Sequence, residues 1–145
     1  MCARIDAAVR GGIVEQYIGG DAGRDAAIEA GATRSARVID GDVSEWSNAL
    51  DDRFGSLPAT VWDRPVRTVS GSEHPVSHLP YRRWREVEVH LVDLGVGPTA
   101  SDWPQEFVDR ALPPLLASLP TRTDHRILMA WLLGREPAPH LEPWG

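Results

Sequence analysis

Six apolar residues, Ile39, Val43, Trp46, Leu50, Phe54 and Leu57, follow one another at intervals of 4, 3, 4, 4 and 3. Only a helix with about 3.6 residues per turn gathers all six onto one stripe. The segment is therefore expected to form an amphipathic helix of about six turns that buries one side. Asp40, Asp42, Glu45, Asp51 and Asp52 occupy the other side, most simply as a solvated face. Leu57-Pro58 ends it.

Other helices follow by the same logic. Residues 3–17 carry Ile5, Val9 and Ile13 at helical spacing. Gly11 and Gly12 weaken that helix by about 1 kcal/mol each relative to Ala. Gly19-Gly20 is its expected stop, and a polar, small-residue stretch runs on to about Thr33. The valine-rich pieces on either side of Ser70-Gly71-Ser72 suit a short hairpin or an ordered loop. Pro65 and Pro75 confine it to an edge or irregular structure. Ser77 caps a helix that ends at Gly95, and Ser101 caps another that Pro113-Pro114 is expected to kink or break. A last helix runs from about Asp124 to Leu133 before Gly134 and a Pro-rich, extended tail. The outline is a mainly α fold, a bundle of antiparallel helices with one irregular crossover and a short C-terminal appendage.

Charge and cysteine content limit the function classes. Fifteen basic residues, all arginine, stand against twenty-one acidic ones, a net charge of −6. That disfavours general nucleic-acid binding and docking on anionic lipid. No apolar run approaches the length of a membrane span, and the N-terminus lacks the apolar region of a signal peptide. A single cysteine, Cys2, excludes an internal disulfide and suits a reducing cytoplasm.

The segment YRRWREVEVHLVDLG, residues 81–95, carries the chemistry. Trp84, Val87, Leu91 and Leu94 fall on one side of a helix and read as its core stripe, as Trp46 does in the earlier helix. Glu86, His90 and Asp93 form a second stripe beside it, with His90 about 40° from Leu94 and so partly buried. Glu86 and His90, four residues apart, stand one above the other. A carboxylate and an imidazole so placed are able to hold one divalent metal. By spacing alone they read first as a surface pair worth tenths of a kcal/mol. Asp93 is either an acceptor that orients the imidazole or a plain surface carboxylate.

The run R-W-R-E-V-E-V-H-L-V-D-L-G resembles the signature of the mycothiol-dependent maleylpyruvate isomerase family. GRDAAIEAGATRSA at 23–36, WDRPVRTVSG at 62–71 and LPYRRW at 79–84 resemble further family segments in the expected order. FVDRALPPLLASLPTRT at 107–123, AWLLGR at 130–135 and the closing PWG extend the likeness. The resemblance implies an incomplete DinB-like helical bundle over 1–119 and a remnant of the family's C-terminal domain over 120–145. It implies a divalent metal, usually zinc, that activates the thiol of mycothiol. In the isomerase reaction the thiolate adds to the cis double bond of maleylpyruvate, the new single bond rotates, and the thiolate leaves to give fumarylpyruvate. Relatives are thought to carry out other thiol transfers on the same bundle. Glu86 and His90 match two family metal ligands. Arg135 matches a family arginine suited to a substrate or cofactor carboxylate. Equally, it is a cation at a helix C-terminus.

The likeness is incomplete at both ends. MCARIDAA occupies the stretch where relatives carry a third ligand, a histidine. Part of the C-terminal domain looks deleted. Cys2, His74, His78, His125 and His140 are the other potential donors, none demanded by spacing. The expected partners are a small-molecule thiol, a small carboxylate substrate and a second copy of the chain, since loss of the first helix uncovers an apolar strip. The alternative function is a non-catalytic bundle relic that dimerises or binds a partner, its metal site lost. Trp62, Trp103, Trp131 and Trp144 receive no role.

Overall fold

A computed structural model describes residues 1–14, 17–68 and 71–142. Glu15 and Gln16 of the first predicted helix, Ser70 of the hairpin tip, and the closing Pro143, Trp144 and Gly145 lie outside the described residues. The fold is mainly α, with a single two-stranded sheet among the described residues. Six α-helices appear there: α1 (Cys2–Val9), α2 (Gly20–Ala32), α3 (Ala36–Ser56), α4 (Leu79–Asp93), α5 (Gln105–Arg122) and α6 (His125–Leu132). Strands β1 (Pro65–Arg67) and β2 (Glu73–Pro75) lie between α3 and α4. No described helix is long and apolar enough to cross a membrane. The chain divides into two compact units, Met1–Arg83 and Trp84–Gly145.

In the first unit α1 is shorter than the predicted 3–17. Gly11 adopts φ +77°, a conformation that costs glycine little. Gly12 N–H then donates to Ala7 O at 2.8 Å and Gly11 N–H to Ala8 O at 3.0 Å, the paired bonds that close a helix C-terminus. The Arg64 guanidinium donates to Ala8 O and Val9 O at 2.8 and 3.0 Å, occupying further carbonyls at that end. Gly19-Gly20 is the beginning of α2 and not the end of α1. The segment read as a polar stretch is helical because it is rich in Ala, the strongest helix former. It has no buried residue, so no apolar stripe marks it.

The core of this unit is made by Ile5 and Ala8 of α1, Leu50 of α3, Val61, Val66 of β1, Val76 and Leu79. Ile5, Val76 and Leu79 are the largest fully buried side chains. Phe54 and Trp62 pack on the edge with ring centroids 5.9 Å apart. Thus α3 is packed at its C-terminal half only. Arg53 of that half also pairs with Asp6 of α1 at 2.7 Å. Its N-terminal half corrects the sequence reading: Trp46 is 64% exposed, and Ile39 and Val43 are exposed with it. Periodicity identifies an apolar face but not whether anything covers it.

The predicted hairpin forms. Pro65 pairs with Pro75, Val66 with His74 and Arg67 with Glu73, antiparallel. Arg67 and Glu73 bridge at 2.8 Å. Val76 N–H donates to Arg64 O and Ser77 N–H to Trp62 O, tying the return strand to the loop before β1. The 3-10 turn Val76–His78 leads directly into α4.

In the second unit Phe107 and Ala111 of α5 and Leu128 of α6 are buried. Trp84 and Trp103 both pack on Phe107, at centroid separations of 5.4 and 5.7 Å. Pro113, Pro114 and Pro120 lie inside α5, which continues through them. All three are exposed, so carbonyls deprived of an N–H partner can turn to water. The start of α5 also differs from expectation. Its N-cap position is Pro104, with no side-chain cap bond, and Ser101 lies inside a separate 3-10 turn, Ala100–Asp102, capped by Thr99: Ser101 N–H donates to Thr99 Oγ1, and Thr99 N–H and Oγ1–H donate to Asp102 at 2.8 and 3.0 Å. Asp124 caps α6, and Gly134 at φ +68° closes it, with Gly134 N–H donating to Trp131 O and Arg135 N–H to Ala130 O. The following tail is held to α5 by Arg122, whose Nε donates to Glu142 O while its carbonyl accepts from Glu142 N–H.

Two measurements check this account. Leu79→Ala is expected to cost about 2–5 kcal/mol in urea unfolding, whereas Ile39→Ala should cost under about 1 kcal/mol. The hydrogen bonds from Thr99 hold the Asp102 carboxyl below the ordinary aspartate range. Its contribution to stability is therefore complete above the unfolded pKa of about 3.9 and is lost as pH falls through the lower folded value. A carbon-detected NMR titration should show Asp102 protonating later than exposed aspartates on acidification, and Thr99→Val should move it back toward them.

Candidate metal centre

Buried Leu79 anchors the start of α4, and Gly95 at φ +65° stops the chain soon after its end, where the sequence placed the stop. Between them the 4 and 3 spacing brings Glu86, His90 and Asp93 together. His90 Nε2 stands 3.4 Å from Glu86 Oε2, and His90 Nδ1 stands 2.8 Å from Asp93 Oδ2. Both ring nitrogens thus face a carboxylate. The shorter contact is a full hydrogen bond, with Nδ1–H donating to Asp93. In the neutral ring this tautomer leaves the Nε2 lone pair open on the Glu86 side.

The Glu86–His90 spacing suits a shared ion. Two donors at about 2.0–2.1 Å from one tetrahedral zinc stand about 3.4 Å apart. The chemistry also suits it: a carboxylate oxygen and an imidazole nitrogen are ordinary zinc donors, and an imidazole ligand commonly gives its other N–H to a carboxylate. The pair supplies two donors. Among the described residues no group of three or more His, Cys, Asp or Glu side chains is arranged to hold a metal.

The stripe is more open than the sequence suggested. The His90 side chain is 65% exposed and that of Glu86 41%, which corrects the expected partial burial of His90. Val87, Leu91 and Leu94, read as core, are exposed as well. Trp84 is the member of that stripe that packs, against Phe107.

The other potential donors are engaged elsewhere. Cys2 is half-buried and packs on the first unit's core. His74 and His78 stack on each other at 4.8 Å, and Tyr81 meets His78 edge-on. His125 Nε2 lies 2.8 Å from Pro120 O, and His140 is exposed in the tail. Arg135 is exposed just past α6. No hydrogen bond or ion pair among the described residues joins it to Glu86, His90 or Asp93.

Two roles near the stripe escape sequence reading. The Glu88 carboxylate accepts from Trp84 Nε1 at 2.9 Å, and the Glu88 carbonyl accepts from Trp103 Nε1 at 3.1 Å. Glu88 therefore braces the tryptophans beside α5. The i, i+4 spacing of Trp84 and Glu88 was a usable signal for the first bond. Trp103 reaches α4 from 15 residues away, and nothing local announces that.

A family model described as the mycothiol maleylpyruvate isomerase N-terminal domain matches residues 3–95, well over half of the chain. The chain belongs to that family. No curated protein and no solved structure matches it. The matched span ends just after α4, so Glu86, His90 and Asp93 all lie within the mycothiol maleylpyruvate isomerase domain, and Arg135 lies outside it.

Proposed function

We propose that this member of the mycothiol maleylpyruvate isomerase family is a divalent-metal-dependent enzyme that acts on a mycothiol thiol, as an isomerase or a thiol transferase. The carrying observation is the 3.4 Å approach of Glu86 Oε2 to His90 Nε2 inside the family-matched span. Glu86 and His90 would hold the ion, zinc by the character of the donors. A bound divalent ion supplies a thiolate at neutral pH, which a free thiol largely is not.

The remaining work falls to the chain itself. Asp93 accepts the Nδ1 proton of His90 and so keeps Nε2 free as a donor atom. The exposure of the stripe leaves access for a small thiol and a small carboxylate substrate. Arg135 is the cation we assign to the substrate carboxylate, by the match of Gly134-Arg135 to the family motif.

Equilibrium dialysis against zinc should give one ion per chain. Glu86→Ala or His90→Ala should abolish that binding, and Asp93→Asn should weaken it about 10–100-fold. Cobalt substitution should give a visible spectrum that mycothiol alters. Zinc that binds equally to the Glu86→Ala and His90→Ala variants sinks the assignment.

The exposed N-terminal half of α3, with Ile39, Val43 and Trp46 on one side, supports self-association as a homodimer. Sedimentation velocity at tens of micromolar should show a dimer that Trp46→Glu dissociates. A wild-type monomer under those conditions overturns this part of the reading.

A further inference from the structure

The Glu86–His90 pair supplies two donors, whereas a zinc that works on a bound group ordinarily rests on three protein ligands and keeps its fourth position open. The pair is one donor short, and it faces solvent, with the His90 side chain 65% exposed. Two further histidines belong to the same compact unit: His125 at the start of α6 and His140 in the tail. His125 Nε2 is held at 2.8 Å by the Pro120 carbonyl. His140 is exposed, lies outside any helix or strand, and has no hydrogen-bond, ion-pair or ring partner among the described residues.

Neither histidine reaches the pair within one copy of the chain. From Trp103 to Phe107 the chain passes from the Glu88 carbonyl to the Trp84 ring. Helix α5 therefore runs antiparallel to α4 and away from His90. From Phe107 to Arg122 it advances about 22 Å, at about 1.5 Å per residue. His125 follows the far end of α5 directly. The tail is pinned to that same end: Arg122 Nε donates to Glu142 O at 2.9 Å, and Glu142 N–H donates to Arg122 O at 3.0 Å. His140 stands two residues before Glu142, and extended chain of that length spans about 7 Å. A gap of about 15 Å is left, more than an imidazole side chain and a bond of about 2 Å to zinc can bridge.

We propose that His140 of a second copy of this chain completes the zinc site, so that the tail of each copy supplies the third donor to the Glu86–His90 pair of the other. The inference rests on the assignment of Glu86 and His90 as metal ligands. Two-fold symmetry makes the exchange reciprocal, with one site built per chain. The exposure of both the pair and His140 leaves each open to the other copy. Three protein donors then leave one position on the ion for a thiol.

Zinc affinity of the full chain, measured by competition with a chromophoric chelator, tests this. His140 makes no side-chain contact among the described residues, so His140→Ala should keep the wild-type circular dichroism. It should bind zinc at least tenfold more weakly than the wild type, and His125→Ala should bind as the wild type does. The deciding measurement mixes two defective chains before zinc is added: His140→Ala, which keeps Glu86 and His90, and His90→Ala, which keeps His140. Zinc should draw them into mixed pairs and bind with wild-type affinity at one ion per two chains, since each mixed pair builds one complete site. Wild-type affinity in His140→Ala, or no recovery on mixing, overturns the proposal and leaves Glu86 and His90 as ligands. Zinc bound equally by Glu86→Ala, His90→Ala and the wild type overturns the metal assignment itself.

Discussion

The meeting of Ile5, Val76 and Leu79 holds the first unit together. The three come from a helix near the N-terminus, the 3-10 turn that follows β2 and the first residue of α4. Their burial fixes where α4 starts. Leu50 and Val66 complete the same core, so α3 and the sheet depend on it too.

Charge is handled differently in the two units. Around His90, two carboxylates face an imidazole. In that arrangement a divalent cation would neutralise the excess negative charge while imidazole nitrogen and carboxylate oxygen serve as donors. In the first unit, Arg4 is a buried cation whose Nη1 donates to the Arg67 carbonyl and whose Nε has no hydrogen-bond partner. Elsewhere surface charges form ordinary ion pairs, such as Arg53–Asp6 and Arg67–Glu73. Surface pairs of that kind contribute little to stability.

Much of the fold was legible because local rules acted unopposed. The i, i+4 phase of Glu86 and His90, the hairpin around Gly71, and the stops at Gly95 and Gly134 follow from periodicity and backbone sterics. α2 was missed because alanine propensity without an apolar stripe leaves little pattern to read. The path of α5 through Pro113 and Pro114 was missed because exposure there removes the penalty that a buried proline would incur. Ser101 does not cap α5 because it sits inside a separate 3-10 turn, closed by a reciprocal bond between Thr99 and Asp102 that the spacing allowed but did not require.

The sequence by itself determined the helical class, the family and the juxtaposition of Glu86, His90 and Asp93, since each depends on residues only a few positions apart. Only tertiary structure decided which apolar faces are covered. Leu50 is buried and Trp46 exposed on the same helix stripe, because burial depends on what other segments pack there. The same holds for Arg4: its position on α1 was plain, but its burial is a property of the segments packed around it.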